Sequence, residues 1–216
     1  MMNAGFQVMS GAGQLIVDSS SINMFLRHAG VANTDVTVPA HDPVVFIRPL
    51  ASPCYLRLAN LVEGQLHLSF RSACEYYVFD RPVEPSYLDA FNEAGMQIFT
   101  AAQRPLDIVG SVTVSDYYAA YRLAYQDGWT YSGLVSGKYA YNQSYIRQGF
   151  HCQPYALGGW ISYMVMETLT PTPNGFRASF DEWSTPFIGW APVRANAFVS
   201  YAPSVEVSII DVAGIL

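Results

Sequence analysis

The side chains best placed to do chemistry in this chain are aromatic. Trp129, Tyr131, Tyr139, Tyr141, Tyr145, Phe150, Tyr155 and Trp160 fall close together in a stretch filled out by Gly and Ser. Tyr and Trp combine a rigid apolar ring with a polar tip, which suits the recognition of a saccharide or a protein surface. The same rings could equally form the core of a long β-lobe or pack against a neighbouring chain. Within the set, Trp129, Tyr131, Tyr139, Tyr141, Tyr145 and Trp160 are the candidate binding residues. A second group, Asp181-Glu182-Trp183, sets two acids beside a ring, the ingredients of glycan cleavage. The plainer reading makes it a loop following a strand.

Other chemistries lack their signatures. His28, His41, His67 and His151 are scattered, and none has a His, Cys or Glu at the spacing of a zinc site. His151 and Cys152 are adjacent, and neighbours on a strand point to opposite faces. No GxSxG elbow or protease-like cysteine signature occurs, and no GK[ST] or GxGxxG opens a helix. Asn142-Gln143-Ser144 matches a glycosylation sequon without a secretory signal to give it meaning. The residues therefore assign no catalytic group, no metal ligand and no cofactor, and the expectation is a protein that is not an enzyme.

Composition narrows the partners. Of 216 residues, 51% are hydrophobic and only 13% charged, about half the usual charged share. That balance argues against disorder and leaves much uncharged surface, as in a subunit covered by neighbours. Lys138 is the sole lysine beside ten arginines, and the formal net charge is −6. An acidic chain with scattered arginines offers no stripe for phosphates, so nucleic acid is not an expected partner. Depleted Lys with abundant Tyr and Arg matches interface composition; compositional drift of the genome would produce the same bias. Cys54, Cys74 and Cys152 show no CxxC spacing, and three buried free thiols are expected, with one disulfide left open. No signal-peptide pattern opens the chain, and no apolar run approaches the ~20 residues that cross a bilayer. The expected site of synthesis is a cytoplasm, without a membrane span.

The elements that must position these side chains read as strands. Leu66, Leu68 and Phe70 alternate with Gln65, His67 and Ser69; Val205, Val207 and Ile209 alternate with Glu206 and Ser208. Phe176, Ala178 and Phe180 repeat the pattern after Pro171-Thr172-Pro173-Asn174-Gly175, where Asn-Gly is expected to supply positive φ. Val44–Ile47, Tyr55–Leu58, Tyr76–Phe79, Ile161–Leu169 and Ala195–Tyr201 are further strands. Ser115–Gln126 is the one helix candidate, with Ser115 as N-cap and Tyr117, Tyr121 and Tyr125 on one face. The expected fold is all-β and sandwich-like, with at most one short helix. Residues 1–114 read as a paired-hairpin β domain and 115–216 as an aromatic-rich β lobe that could share its core.

The pairing of hairpins rests on an internal echo. Gly5–Asp18 (GFQVMSGAGQLIVD) and Tyr87–Thr100 (YLDAFNEAGMQIFT) share an apolar run, a small-residue turn closing on Ala-Gly, and a second apolar run. Ala12/Ala94, Gly13/Gly95 and Ile16/Ile98 are identical at an offset of 82 positions, and Met24 and Leu26 match Leu106 and Ile108 downstream. Gly5-Phe6-Gln7-Val8 with Gly13–Asp18, then Phe91–Gly95, Ile98-Phe99 and Arg104–Val109, together with Tyr77–Pro82, resemble segments of tailed-phage minor tail and baseplate proteins. The resemblance covers residues 1–114 at most and brings no catalytic residue. It implies a virion structural protein at the tail tip, all-β and working as a homo-oligomer on a three- or six-fold axis, a trimer by preference. Its implied partners are other tail or baseplate proteins and a host surface glycan or protein.

Overall fold

The computed structural model describes residues 7–9, 13, 15–18, 23–51, 54–115, 128–183, 185–192 and 204–216. Within them the chain is nearly all β, in stacked sheets, with a 3-10 turn at Ala156–Gly158. The helix candidate beyond Ser115 and the strand expected over Ala195–Tyr201 lie outside the described residues.

A first ribbon, β1 (Gln7–Met9) and β2 (Leu15–Asp18), leads into β3 (Phe25–Ala32) and β4 (Asp35–Pro39). Then come β5 (Val44–Pro49), β6 (Leu56–Val62), β7 (Gln65–Phe70) and β8 (Cys74–Asp80). A second ribbon, β9 (Asp89–Phe91) and β10 (Gln97–Thr100), leads into β11 (Ile108–Val114). The remainder forms β12 (Trp129–Tyr131), β13 (Tyr139–Gln143), β14 (Gln148–Pro154), β15 (Trp160–Thr172), β16 (Gly175–Glu182), β17 (Phe187–Gly189) and β18 (Val205–Asp211).

The two ribbons agree position for position. The first pairs Gln7 with Asp18, Val8 with Val17 and Met9 with Leu15. The second pairs Asp89 with Thr100, Ala90 with Phe99 and Phe91 with Gln97, the same register and the same bulge moved along by 82 residues. Gly13 and Gly95 hold φ of +80° and +77°, which glycine adopts at little cost and which explains the shared Ala-Gly at the turn. The segments after the ribbons then pair with each other. Leu26 N donates to Arg104 O at 2.8 Å, Leu106 N donates to Met24 O at 2.8 Å, and Phe25 bridges Pro105. Met24 and Leu106 are equivalent in the echo, so the repeats meet across a local pseudo-two-fold.

The central layer is a six-stranded antiparallel sheet, β11-β18-β13-β5-β8-β3. It draws strands from both 1–114 and 115–216. The junction of residues 24–26 with 104–106 ties its two ends together, and the sheet curls around Phe46, Tyr77, Phe79, Ala140, Ile210 and Val212. Its outer face carries two further sheets. Over β11, β18 and β13 lies β12-β16-β15-β14, with β17 on β15; between these layers sit Val114, Tyr141, Val165, Phe176, Val205 and Ile209. Over β5 and β8 lies β4-β7-β6, packed through Val38, Leu66, Leu68, Phe70, Val45 and Val78. β8 is buried along almost its whole length, as a strand covered on both faces must be, and its near-continuous apolar run fits that position.

The alternating strands appear as expected in β7 and β18; β16 forms where expected and buries Phe176, Ala178 and Phe180, but Ser179 between them is buried too. The turn before β16 differs. Its two loop residues are Pro173 and Asn174, and Gly175 is already paired with Thr172. Glycine is needed there for space, since a Cβ would stand 2.0 Å from the Tyr131 carbonyl oxygen. Positive φ at two successive turn residues occurs instead at Glu63 and Gly64 (51° and 75°), between β6 and β7, as a two-residue type I′ hairpin loop requires.

Candidate functional site

Five of the six candidate rings face one core. Tyr141 is buried and donates its hydroxyl hydrogen to Gly175 O at 2.6 Å. Tyr139 is buried too and donates to Val135 O at 2.6 Å, while half-buried Tyr145 donates to Ser204 O. Trp129 and Tyr131 stack with centroids 6.5 Å apart and an interplanar angle of 12°. Both lean on Phe176, whose ring also meets Tyr141 edge-on at 5.3 Å. Burial holds the Tyr141 phenol well above its usual range, so it stays a neutral donor. These rings pack the layers together; their hydroxyls satisfy backbone carbonyls. Trp160 is separate, half-buried at the start of β15 between Pro154 and Gly189.

The exposed aromatic surface lies nearby and is made of different residues. Trp190 is 83% exposed and Tyr155 49%. With Ile188, Ala156 and Gly159 they line a shallow depression of about 290 Å³. Phe187 and Trp183 are exposed in the same part of the chain. The sequence signal was the short run Pro186-Phe187-Ile188-Gly189-Trp190, too brief to classify by periodicity and dependent on its pairing with β15 for its place.

A second opening lies where the two covering sheets approach. β13 and β5 share a single residue pair, Tyr141 with Ile47. Beside it a cleft of about 230 Å³ separates β6 from the segment Asn142–Ile146. In its wall, Gln143 Nε2 has no hydrogen-bond partner among the described residues.

The acidic group does not converge. Asp181 and Glu182 belong to β16 itself, opposite Met166 and Val165, so the strand runs further than the loop reading allowed. As neighbours on a strand they point to opposite faces, and Asp181 accepts a hydrogen bond from Thr168 Oγ1 at 2.7 Å. The histidines have separate partners: His28 reaches Pro39 O at 3.1 Å and His67 pairs with Thr37 Oγ1 at 2.9 Å. Burial holds the His151 ring below its usual range, favouring the neutral form. Among the described residues no His, Cys, Asp and Glu cluster of metal-binding form occurs.

All three cysteines are buried and none is joined in a disulfide, as expected. Cys54 and Cys74 lie in one core cluster and hydrogen-bond to each other, and that bond holds Cys54 at about 7 against the effect of burial. The remaining buried charges are structural in their contacts. Glu75 accepts from Tyr77 at 2.7 Å and pairs with Lys138 at 2.9 Å, while Lys138 also donates to the Leu216 carbonyl at 3.2 Å. Arg147 and Glu167 form a fully buried ion pair between β11, β14 and β15.

No described helix is long and apolar enough to cross a membrane. Comparison with protein-family models, with curated proteins and with solved structures finds no match to the chain.

Proposed function

We propose that the protein is a non-enzymatic structural subunit of a phage tail tip or baseplate, acting through protein–protein contacts. The observation that carries this reading is the repeated ribbon with its repeated exposed side chain. Met9 and Phe91 hold equivalent positions and are 52% and 59% exposed. An apolar side chain left in water at the same place in both copies suits a pair of contacts to neighbouring molecules. Tyr87 and Leu88, exposed beside the second ribbon, extend that surface. In this reading residues 1–114 dock onto the tail, and the surface around Trp190 and Tyr155 faces another subunit or the host. The working assembly is a homo-oligomer in the virion, with a trimer as the starting model.

The test is reconstitution onto tails assembled without the protein. Wild-type protein should join them, and the double variant Met9→Ser/Phe91→Ser should not, while keeping its melting temperature. Wild-type protein that stays monomeric and leaves the tails bare would sink the proposal. A second reading, a carbohydrate-binding surface, draws support from Trp190 and Tyr155 around their depression. Glycan-array binding lost in Trp190→Ala and retained in Trp129→Ala would favour it.

A further inference from the structure

We infer that Cys54 and Cys74 form a peroxide-reactive site, with Cys54 attacking hydrogen peroxide through the cleft beside β6 and Cys74 closing a disulfide onto it. The fold holds the two side chains as a pair. Cys54 leads into β6, Cys74 opens β8, and both belong to the core packed under β4-β7-β6. Backbone bonds fix the chain beside each: Arg71 N donates to Tyr55 O and Leu50 N to Ala73 O, both at 3.0 Å. Cys152 is buried on β14, in the other covering sheet, and takes no part.

Access distinguishes the two sulfurs. Cys54 lines the cleft of about 230 Å³, together with Val45, Ile47, Leu56 and Leu169. Cys74 is 0% exposed and does not reach the cleft wall. A water takes up about 30 Å³ in the liquid, and hydrogen peroxide is little larger, so the cleft admits it. The apolar wall suits a small neutral oxidant and disfavours a bulky charged one such as oxidised glutathione.

Reactivity divides the roles in the same way. The hydrogen bond from Cys74 outweighs burial, and bonds from Ser72 add to it, so Cys54 titrates at about 7. That shared bond, with burial, holds Cys74 above the usual thiol range, so it keeps the proton it donates. A thiolate that an oxidant can reach, set beside a second thiol, is the arrangement that peroxide oxidises selectively. The Cys54 thiolate attacks one peroxide oxygen; the O–O bond breaks, and the departing hydroxide takes up a proton to become water. Cys54 is then a sulfenic acid. The Cys74 sulfur attacks the Cys54 sulfur, the S–S bond forms, and the S–O bond breaks. The second hydroxide leaves as water with the Cys74 proton. Two thiols thus give up two electrons to one peroxide.

The site is independent of the tail-tip reading, since neither thiol lies on the ribbons that carry it. Intact mass and peptide mapping after treatment of native protein with hydrogen peroxide at pH 7 test it. Wild-type protein should lose two hydrogens and carry a Cys54–Cys74 bond. Cys74→Ser should instead gain one or more oxygens at Cys54. At pH 7 a thiol titrating at about 7 is half ionised, against about 3% for an ordinary one near 8.5, so Cys54→Ser should slow thiol loss more than about tenfold. Oxidised glutathione at the same concentration should leave both thiols intact. The wild-type mapping decides the pairing even where a variant fails to fold. No Cys54–Cys74 bond in wild type, oxygen gained at Cys74 ahead of Cys54, Cys54→Ser oxidised at the wild-type rate, or glutathione reacting as fast as peroxide would each overturn the assignment.

Discussion

Breaking the Arg147–Glu167 pair should cost far more than removing it entirely. Both side chains are 0% exposed. Arg147 Nε donates to Glu167 Oε2 at 2.8 Å, and a second guanidinium nitrogen donates to Oε1. The guanidinium also reaches Val114 O at 3.3 Å and lies 5.8 Å from the Phe180 ring. Glu167→Leu leaves a cation that cannot shed its charge, with two bonds missing, at a cost of about 3–5 kcal/mol. For a chain of this size that is a melting temperature lower by roughly 6–20 °C. Arg147→Met leaves a carboxyl that can take up a proton. Burial, outweighing the arginine, already holds Glu167 above the usual carboxylate range. A carboxyl raised in the fold contributes stability that is full below its unfolded value, about 4.3, and lost as pH rises through the folded value. Destabilisation by Arg147→Met should therefore shrink on acidification, and that by Glu167→Leu should not. The double variant Arg147→Met/Glu167→Leu should lie within about 1 kcal/mol of wild type or above it, since a packed apolar pair avoids both desolvation costs. Urea titrations at several pH values, read as a double-mutant cycle, measure all of this. Single variants costing under about 1 kcal/mol, or a double variant equal to their sum, would refute the reasoning.

Three other outcomes follow from local geometry. Burial raises the Asp80 carboxyl, but backbone N–H groups of Asp42, His41 and Arg81 more than offset it, so it titrates below the usual range. Its contribution is present above the unfolded value, about 3.9, and lost as pH falls through the folded one; Asp80→Asn should cost about 2 kcal/mol at pH 7 and flatten the acid limb of the stability profile. Gly175→Ala drives a methyl against the Tyr131 carbonyl and should destabilise by about 3 kcal/mol or more in a urea melt, whereas Gly95→Ala meets no neighbour within 4 Å and should cost only about 1 kcal/mol for its positive φ. Diamide, accepting two electrons and two protons, should join the adjacent Cys54 and Cys74 thiols, closing a loop of about 20 residues and raising the melting temperature by roughly 5–10 °C; a mass spectrum showing both thiols intact after treatment of native protein would count against their contact.

How far the chain's own residues carry the structure can be seen from particular elements. The ribbons were legible because a hairpin is a local object: Ala-Gly at the turn and flanking apolar runs lie within fourteen positions, and their echo 82 residues later survives in register and bulge. β7 and β18 were legible because alternation records which face is wet. The surroundings of a ring were not legible in this way. Tyr141 and Trp190 are both large aromatics in strand-like stretches, yet one fills the space between sheets and the other stands in water. Gly175 read as a turn residue because a lone sequence shows conformation and not the carbonyl of Tyr131 waiting opposite. β6 read as an ordinary strand, although its apolar row ends up exposed. Periodicity and turn chemistry are set by neighbours in the chain, and so they are written in the chain. Which strand lies next to which, and therefore which apolar face is covered, depends on contacts between residues up to a hundred or more positions apart. Only the assembled sheets decide it.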